Sequence, residues 1–417
     1  MNGRRRALVG AAASGVALTA GAAALTAVAA AFARAVVTPA RHKPDDVEVL
    51  QVGPRRVVLG ATADTVVPGR YGVWTAEGRG HFRVGAVLEV TAERVTRELL
   101  GVDRGTAQPG AARWNQYYYA GTPRSALGLD HEDVVVRSEV GDLPCWHVPP
   151  PAGADGGPDG AGGGPAGDVW AVLVHGRGAS REEALRALPL LHGLGLTCLV
   201  PAYRNDPDGP PSPARRYGLG DTEWRDVEAA CRHALENGAR RLVLVGWSMG
   251  GAIVLQLVAR SELADRVAAV VLDGPVIDWY DVLDHQARRN RVPVPLGRYG
   301  LGLLGHPVGR RLVGVDGPVD LRRMDWVRRA EELRLPLLLL HSDADDYVPP
   351  GPSARLAQAR PDLVTFVRSG TARHTKEWNV DPQGWEDAVR DFLAGHLAGH
   401  LAGHPAGRPD AGAGGAG

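Results

Sequence analysis

The second half of the chain alternates continuous apolar runs with amphipathic segments, and this alternation limits the possible folds more than any other feature. Runs that are apolar at nearly every position predict strands buried on both faces, and helical periodicity between them predicts covering helices. The predicted strands are Val169 to Val174, Leu196 to Pro201, Arg241 to Val245, Val267 to Leu272, Leu335 to His341 and Leu363 to Val367, and the predicted helices are Arg181 to Leu194, Asp221 to Glu236, Met249 to Arg260 and about Pro382 to Leu393. The pattern predicts an α/β fold with a mostly parallel sheet, in which functional side chains follow the carboxyl ends of the strands.

A glycine-flanked serine lies between one of these strands and the helix after it, in the sequence Gly246-Trp247-Ser248-Met249-Gly250. A G-x-S-x-G pattern in this position is typical of a nucleophile elbow, in which the serine occupies a strained turn. Glycine at the two flanking positions removes Cβ atoms that would collide with the neighbouring strand and helix. We therefore predict Ser248 as a nucleophile, and the backbone N–H of Met249 as a donor to the oxyanion that its attack would create.

Candidates for a general base and for its acid partner follow Ser248 in the chain. A serine hydroxyl needs a base that accepts its proton, and an acid that fixes the orientation of that base. His374 is the one histidine in the loop after the last predicted strand, and we predict it to be the base. Carboxylates follow two earlier strands: Asp343, Asp345 and Asp346 lie after Leu335 to His341, and Asp273 lies after Val267 to Leu272.

The first predicted strand of the core ends in His175-Gly176-Arg177-Gly178. The two glycines allow the backbone between them to approach a substrate oxygen closely. An N–H group in this loop is the usual second donor of an oxyanion hole in a sheet of this kind. We therefore predict the backbone N–H of Arg177 to be that donor.

Residues from about 131 to 395 resemble the α/β-hydrolase superfamily, close to its Bem46-like and prolyl-oligopeptidase-like members. The resemblance is carried by H-G-R-G, by G-W-S-M-G and by the loops that hold Asp345 and His374, in that order along the chain. It implies a mostly parallel central sheet, a Ser-His-Asp triad and neither a metal nor an organic cofactor. The spacing H-x-x-x-D-x-x-V-P implies Asp345 as the acid, and Asp273 remains the alternative because some members of the fold place the acid there. Ser342 departs from the glycine found in many relatives.

Further segments are predicted around this core. The first is a β-rich accessory module at residues 45–125, with strands Val47 to Val52, Arg56 to Leu59, Tyr71 to Trp74, His81 to Val90 and Arg94 to Leu100. The second is a hairpin of Asp133 to Val140 and Leu143 to Val148 that turns at Gly141-Asp142. A flexible loop is predicted at 149–167, a lid-like insertion at 277–329 and a disordered tail at 396–417. The tail repeats Leu-Ala-Gly-His, and we interpret its histidines as low-complexity sequence rather than metal ligands.

The N-terminus is predicted to direct the protein to or across a membrane. Three arginines at 4–6 precede a charge-free run from Ala7 to Ala33, which is long enough to cross a bilayer as a helix. Residues 1–36 are therefore predicted as a single-pass anchor with the catalytic domain outside the cytoplasm. The alternative is an export signal cleaved near Ala31-Phe32-Ala33, which would leave a secreted protein.

The chain is therefore predicted to be a serine hydrolase of carboxylic esters. Peptidase and thioesterase activity remain alternatives within the fold, since the same residues serve all three reactions, and an inactive membrane-tethered binding protein is a less favoured one. The predicted partners are a small acyl substrate, such as a lipid or peptide derivative, and the membrane. With 47 basic and 47 acidic residues and no block of like charge, the chain does not resemble a nucleic-acid-binding protein.

Overall fold

The computed structural model describes residues 21–39, 44–151 and 168–401. Within them the strands form two sheets, a closed six-stranded barrel and an eight-stranded mixed sheet. The sheets correspond to the predicted β-rich module and to the predicted α/β domain, so both parts of the fold are confirmed. Most of the predicted flexible loop, residues 152–167, and the last part of the predicted tail, residues 402–417, lie outside the described residues.

The accessory module is an antiparallel barrel with strand order β1-β2-β5-β4-β3-β6. Its strands are β1 (Val47–Val52), β2 (Arg56–Gly60), β3 (Tyr71–Thr75), β4 (Gly80–Val90), β5 (Arg94–Arg104) and β6 (Gly110–Asn115). The first five were predicted, whereas β6 was missed because Gly110-Ala111-Ala112-Arg113 has little apolar alternation. β6 pairs with both β1 and β3, and this pairing closes the barrel around side chains such as Tyr71, Phe82 and Trp114.

The fully buried guanidinium of Arg97 orders one loop of the barrel. It donates hydrogen bonds to the carbonyl oxygens of Thr65, Val67 and Gly69 at 2.7–2.8 Å, and to that of Gly85. A buried cation without these acceptors would be strongly unfavourable, so the loop at residues 61–70 is held in one conformation. This loop contacts the α/β domain through Asp64 and Arg70.

The central sheet of the α/β domain has the order β14-β13-β12-β11-β9-β10-β8-β7. Its strands are β7 (Glu132–Ser138), β8 (Gly141–Val148), β9 (Val169–Val174), β10 (Thr197–Pro201), β11 (Arg241–Trp247), β12 (Val267–Asp273), β13 (Leu337–Ser342) and β14 (Val364–Ser369). All neighbours from β10 to β14 are parallel, and the β7–β8 hairpin adds at one edge in antiparallel orientation. The carboxyl ends of β9, β11, β13 and β14 therefore open on the same edge, which is where the predicted site residues follow.

Helices cover both faces of this sheet, and further helices form the insertion over its carboxyl edge. They are α1 (residues 21–37), α2 (Pro123–Leu127), α3 (Leu188–Gly193), α4 (Trp224–Glu236), α5 (Met249–Arg260), α6 (Trp279–Arg289), α7 (Val294–Gly305), α8 (Gly309–Val313), α9 (Gly351–Ala359), α10 (Glu377–Val380) and α11 (Pro382–Leu401). Alternate residues of a strand enter opposite cores: Val172 packs with residues of α4, α5 and α6, and Leu173 packs with residues of α3 and α11. This division explains why the strands are apolar at every position.

Two local predictions are corrected by the structure. The β7–β8 hairpin turns at Glu139-Val140 and not at Gly141-Asp142, because Ser138 pairs with Gly141 and the Ser138 hydroxyl donates to the Gly141 carbonyl. The tail is helical through Leu401 instead of disordered from residue 396. The helix is kinked at Leu397, where φ is −116° and ψ is 15°. Leu397 is fully buried in the same core as Leu393, and this packing stabilises the segment although glycine has a low helix propensity.

The N-terminal prediction is only partly covered by the structure. Residues 1–20 of the predicted anchor or signal lie outside the described residues, and residues 21–37 form α1. None of the helices in the described ranges combines the length and apolar character needed to span a bilayer.

Candidate active site

Ser248 stands at the sharp turn between β11 and α5. Its backbone has φ 53° and ψ −116°, a conformation that non-glycine residues rarely adopt. A Cβ atom at Gly250 would lie 2.1 Å from the Val174 carbonyl oxygen, and one at Gly246 would lie 2.8 Å from the Gly250 backbone. Both positions therefore require glycine, and the strained turn presents the Ser248 hydroxyl at the carboxyl edge of the sheet.

His374 lies in the loop after β14, and its imidazole connects two of the predicted site residues. Its Nε2 is 2.9 Å from Ser248 Oγ, and its Nδ1 is 2.7 Å from Asp345 Oδ2. Both are ordinary hydrogen-bond distances. The structure thus brings the predicted nucleophile, base and acid into one hydrogen-bonded chain, although they come from three separate loops.

Asp345 is held on the far side of His374 by several donors. Its side chain is buried, and Oδ1 accepts hydrogen bonds from the N–H groups of Tyr347 at 2.9 Å and Val348 at 2.8 Å. Burial alone would raise the pKa of the Asp345 carboxyl, but the charge of His374 and the hydrogen bonds from His341 and His374 outweigh burial and lower this pKa below its usual range. Asp345 therefore stays ionised, as an acid that orients the base must.

Asp273, the alternative acid, has different partners. It is fully buried at the end of β12, and its Oδ2 accepts a hydrogen bond from Trp385 Nε1 at 2.9 Å. The carboxyl of Glu377 lies next to it, and burial followed by the nearby charge of Asp273 raises the pKa of Glu377 well above its usual value. These two carboxyls form a separate buried pair, whereas the carboxylate hydrogen-bonded to His374 is that of Asp345.

The loop with Gly176 and Arg177 passes directly beside Ser248. A Cβ atom at Gly176 would lie 3.2 Å from Ser248 Cβ, and the Gly176 N–H is fixed by a 2.7 Å hydrogen bond to Glu183 Oε2. Arg177 lines the same cavity as Ser248, and Met249 is the first residue of α5. The two predicted oxyanion donors therefore lie on segments adjacent to the hydroxyl, and their role remains a prediction.

Two supporting contacts were not predicted from the sequence. His341 Nε2 lies 3.2 Å from Asp345 Oδ2 in the buried interior. Arg186 donates a 2.7 Å hydrogen bond to the carbonyl of Thr375, the residue after His374. His341 is the histidine of the H-x-x-x-D-x-x-V-P spacing that contains Asp345, but no role was predicted for it, and Arg186 belongs to no motif that indicates its partner.

The accessory barrel contacts the segment that follows His374. Lys376 Nζ is 2.6 Å from Asp64 Oδ1 of the barrel. The fully buried Asn379 donates from Nδ2 to the Arg70 carbonyl at 2.7 Å, and its own carbonyl accepts from the Arg70 N–H at 2.8 Å. The loop that carries the base is therefore supported by the barrel as well as by its own domain.

The predicted lid-like insertion is helical, and α6 within it lies over the site. Asp278 caps the N-terminus of α6 by accepting a 2.8 Å hydrogen bond from the Tyr280 N–H. Burial, with a smaller contribution from nearby Asp325 and Asp281, raises the pKa of Asp278 to about 6. Above about pH 6 the Asp278 carboxyl is ionised in the folded protein, and its buried charge then lowers the free energy of unfolding.

We expect Asp278→Asn to raise the free energy of unfolding by about 1–3 kcal/mol at pH 8, since one pKa unit corresponds to about 1.4 kcal/mol. The folded pKa of about 6 lies above the unfolded value of about 3.9, so the carboxyl contributes stability below pH 4 that is lost as the pH rises through 6. Asparagine keeps the cap and has no charge. Urea unfolding at pH 4 and pH 8 measures the effect, and an equal gain at both values would contradict this explanation.

Comparison with known families covers both parts of the chain. Residues 171–301, from β9 into α7, match a family model described as the alpha/beta hydrolase fold. Residues 48–115, which correspond to the barrel, match a model described as a domain of unknown function (DUF8805). The first match includes the Gly176 loop and the elbow at Ser248.

Individual relatives are distant. An uncharacterized protein of Mycobacterium tuberculosis is 25% identical over 268 residues, which cover 63% of this chain and 78% of the relative. Among solved structures, the Pyrococcus furiosus esterase Pf2001 is similar with a TM-score of 0.49 at 18% identity, and the match covers 67% of this chain and 96% of the esterase. A puromycin hydrolase is similar with a TM-score of 0.48 at 19% identity, over 80% of this chain and 47% of that one.

Proposed function

We propose that this chain is a serine hydrolase of carboxylic esters, of the α/β-hydrolase superfamily. The match of residues 171–301 to a model described as the alpha/beta hydrolase fold supports this proposal. The observation that carries the proposal is the chain of hydrogen bonds from Ser248 Oγ to His374 Nε2 at 2.9 Å and from His374 Nδ1 to Asp345 Oδ2 at 2.7 Å. Nucleophilic catalysis by serine requires this order of groups.

In the proposed reaction, Ser248 Oγ attacks the ester carbonyl carbon while His374 Nε2 accepts its proton. The negative charge that develops on the carbonyl oxygen is stabilised by the backbone N–H groups of Met249 and Arg177. His374 then donates the proton to the leaving alkoxide, which departs as an alcohol and leaves an acyl group on Ser248. Water, deprotonated by His374, releases this acyl group as a carboxylic acid and restores the serine. Asp345 stays ionised and stabilises the imidazolium in both halves of the reaction.

Esters are favoured over amides as the substrate class, and thioesters remain an alternative. An alkoxide is a better leaving group than an amine, so esters place the lower demand on His374 as a general acid. The proposal of an inactive binding protein has less support, because Ser248, His374 and Asp345 are all present and hydrogen-bonded to one another.

A comparison of p-nitrophenyl esters, thioesters and peptide p-nitroanilides with wild type and Ser248→Ala tests this proposal. We expect ester hydrolysis with the highest kcat/KM of the three classes, and loss of that activity in Ser248→Ala to on the order of 10⁻⁵ of wild type or below. Faster turnover of anilides would indicate a peptidase. Equal ester turnover by wild type and variant would remove Ser248 from the mechanism.

We also propose that the N-terminal segment holds the protein at a membrane with its catalytic domain outside the cytoplasm. The support is the sequence, in which arginines at 4–6 precede the charge-free residues 7–20 that come before α1. Residues 29–37 of α1 pack on the α/β domain and are not part of this tether. Extraction of membranes with alkaline carbonate tests it: retention in the pellet is expected, and full release would contradict a membrane tether.

A further inference from the structure

An apolar cavity of about 280 Å³ opens beside Ser248, and α1 forms one of its walls. Phe32, Ala35 and Val36 line it from α1, and Trp279, Val282 and Leu283 line it from α6. Arg177 is the one charged residue among the described residues that line this cavity. The N-terminal segment thus reaches the candidate active site itself.

The packing of α1 fixes the position of this wall. Ala29, Ala33 and Val37 are fully buried against the catalytic domain. A Cβ atom at Gly300 of α7 would lie 2.5 Å from the Ala29 carbonyl oxygen, so the two helices meet at a distance that only glycine permits. At these positions α1 packs like a core helix of the catalytic domain.

Arg177 links α1 to the loop beside Ser248. Its guanidinium donates hydrogen bonds to the carbonyls of Ala35 at 3.2 Å and Thr38 at 2.8 Å, at the C-terminal end of α1. A cation at this end of a helix satisfies carbonyls that have no partner within the helix and is favoured by the helix dipole. The residue whose backbone N–H is predicted to bind the oxyanion therefore also anchors the cavity wall.

We propose that this cavity is the acyl-binding site and that α1 determines which acyl groups it accepts. This inference rests on the proposed ester hydrolysis. The walls are mostly apolar, with Gln286, Asn290 and Tyr347 as further polar lining residues. Ligand pockets range from roughly 300 to 1,000 Å³, so this cavity is at the small end. It suits a short alkyl chain or a single aromatic ring, and a long fatty acyl chain would have to extend beyond it.

The cavity wall formed by α1 is complete only if the N-terminal segment stays attached to the protein. Cleavage of an export signal after Ala33 would remove Phe32 from the wall and Ala29 from its contact with α7. The acyl site described here therefore requires that residues 29–37 stay attached, which favours the retained segment over the cleaved signal.

The test is the kcat/KM profile of full-length protein for p-nitrophenyl acetate, butyrate, octanoate and benzoate. Phe32→Ala enlarges the cavity and is expected to raise the octanoate-to-acetate ratio about tenfold, while Val36→Phe fills it and is expected to lower that ratio about tenfold. Val28→Ala is the control, since Val28 is on the same helix but 53% exposed and outside the cavity lining.

The esterase profiles distinguish failure of the proposed acyl site from failure of the proposed ester hydrolysis. Opposite shifts in Phe32→Ala and Val36→Phe, with an unchanged profile in Val28→Ala, support α1 as the acyl wall. Hydrolysis by wild type with the same chain-length profile in all variants overturns the acyl-site proposal and leaves the proposed function intact. A wild-type protein that hydrolyses none of the four esters overturns both. If Phe32→Ala does not fold, Val36→Phe alone decides, because a smaller cavity must disfavour octanoate.

Discussion

Replacement of His374 by alanine is expected to lower kcat/KM for p-nitrophenyl butyrate by a factor on the order of 10⁵ to 10⁶. His374 Nε2 is the group hydrogen-bonded to Ser248 Oγ, at 2.9 Å. Without it the Ser248 hydroxyl has no base during attack, and the water that releases the acyl group has no base either, so acylation and deacylation both slow. Initial rates at saturating and limiting ester concentrations measure the loss, which should appear in kcat.

His233→Ala is the matched control for this variant. His233 lies in α4, where its ring contacts Asn237 on the surface, and we expect its replacement to leave the rate within about twofold. A His374→Ala protein that folds normally and keeps more than about a tenth of wild-type kcat would contradict the role assigned to this histidine.

Asp345→Asn is expected to lower kcat by about 10⁴-fold while the protein still folds. The ionised carboxylate holds the proton of His374 on Nδ1, which leaves Nε2 free to accept the serine proton. The amide of asparagine can donate a hydrogen bond to Nδ1 and so favours the opposite tautomer, in which Nε2 carries the proton and cannot act as a base. Steady-state kinetics with circular dichroism of the folded variant separate loss of catalysis from loss of structure.

Two other aspartates provide controls for Asp345→Asn. Asp343 lies in the same loop but pairs with Arg368 on the surface, so Asp343→Asn should leave kcat within about threefold. Asp273 is the acid that some members of the fold would use, but here it is bonded to Trp385. If Asp273→Asn lost 10³-fold or more in a folded protein and Asp345→Asn did not, the assignment of the acid would have to be exchanged.

The parts of the fold that follow from local pattern were predictable from the sequence. The strand from Val169 to Val174 is apolar throughout because alternate residues enter different cores, and such a run is visible without any partner. The elbow at Ser248 was predictable for a similar reason, since its glycines and its strand-helix context are contiguous. His374 could be located because the loops that follow parallel strands lie at one edge of the sheet, even when many residues separate them. Asp345 was selected among several carboxylates through the resemblance to the α/β-hydrolase superfamily.

The parts that depend on distant packing were not predictable. Strand β6 has little pattern of its own and is defined by its pairing with β1 and β3. The alanine- and glycine-rich composition of α1 resembles a weakly apolar membrane segment, and its packing on α7 is visible only in the structure, for example where Ala29 meets Gly300. His341 likewise contacts Asp345 only because the loop after β13 folds back over its strand.

Labelling with a small fluorophosphonate, followed by peptide mass spectrometry, tests the central claim most directly. The reagent reacts with a serine only when a neighbouring base removes its proton, so it reports the Ser248–His374 pair independently of the natural substrate. The account predicts stoichiometric modification of wild type at Ser248, and labelling slower by several orders of magnitude in folded His374→Ala. Folded wild-type protein that remains unlabelled, or that is labelled equally fast without His374, would contradict it.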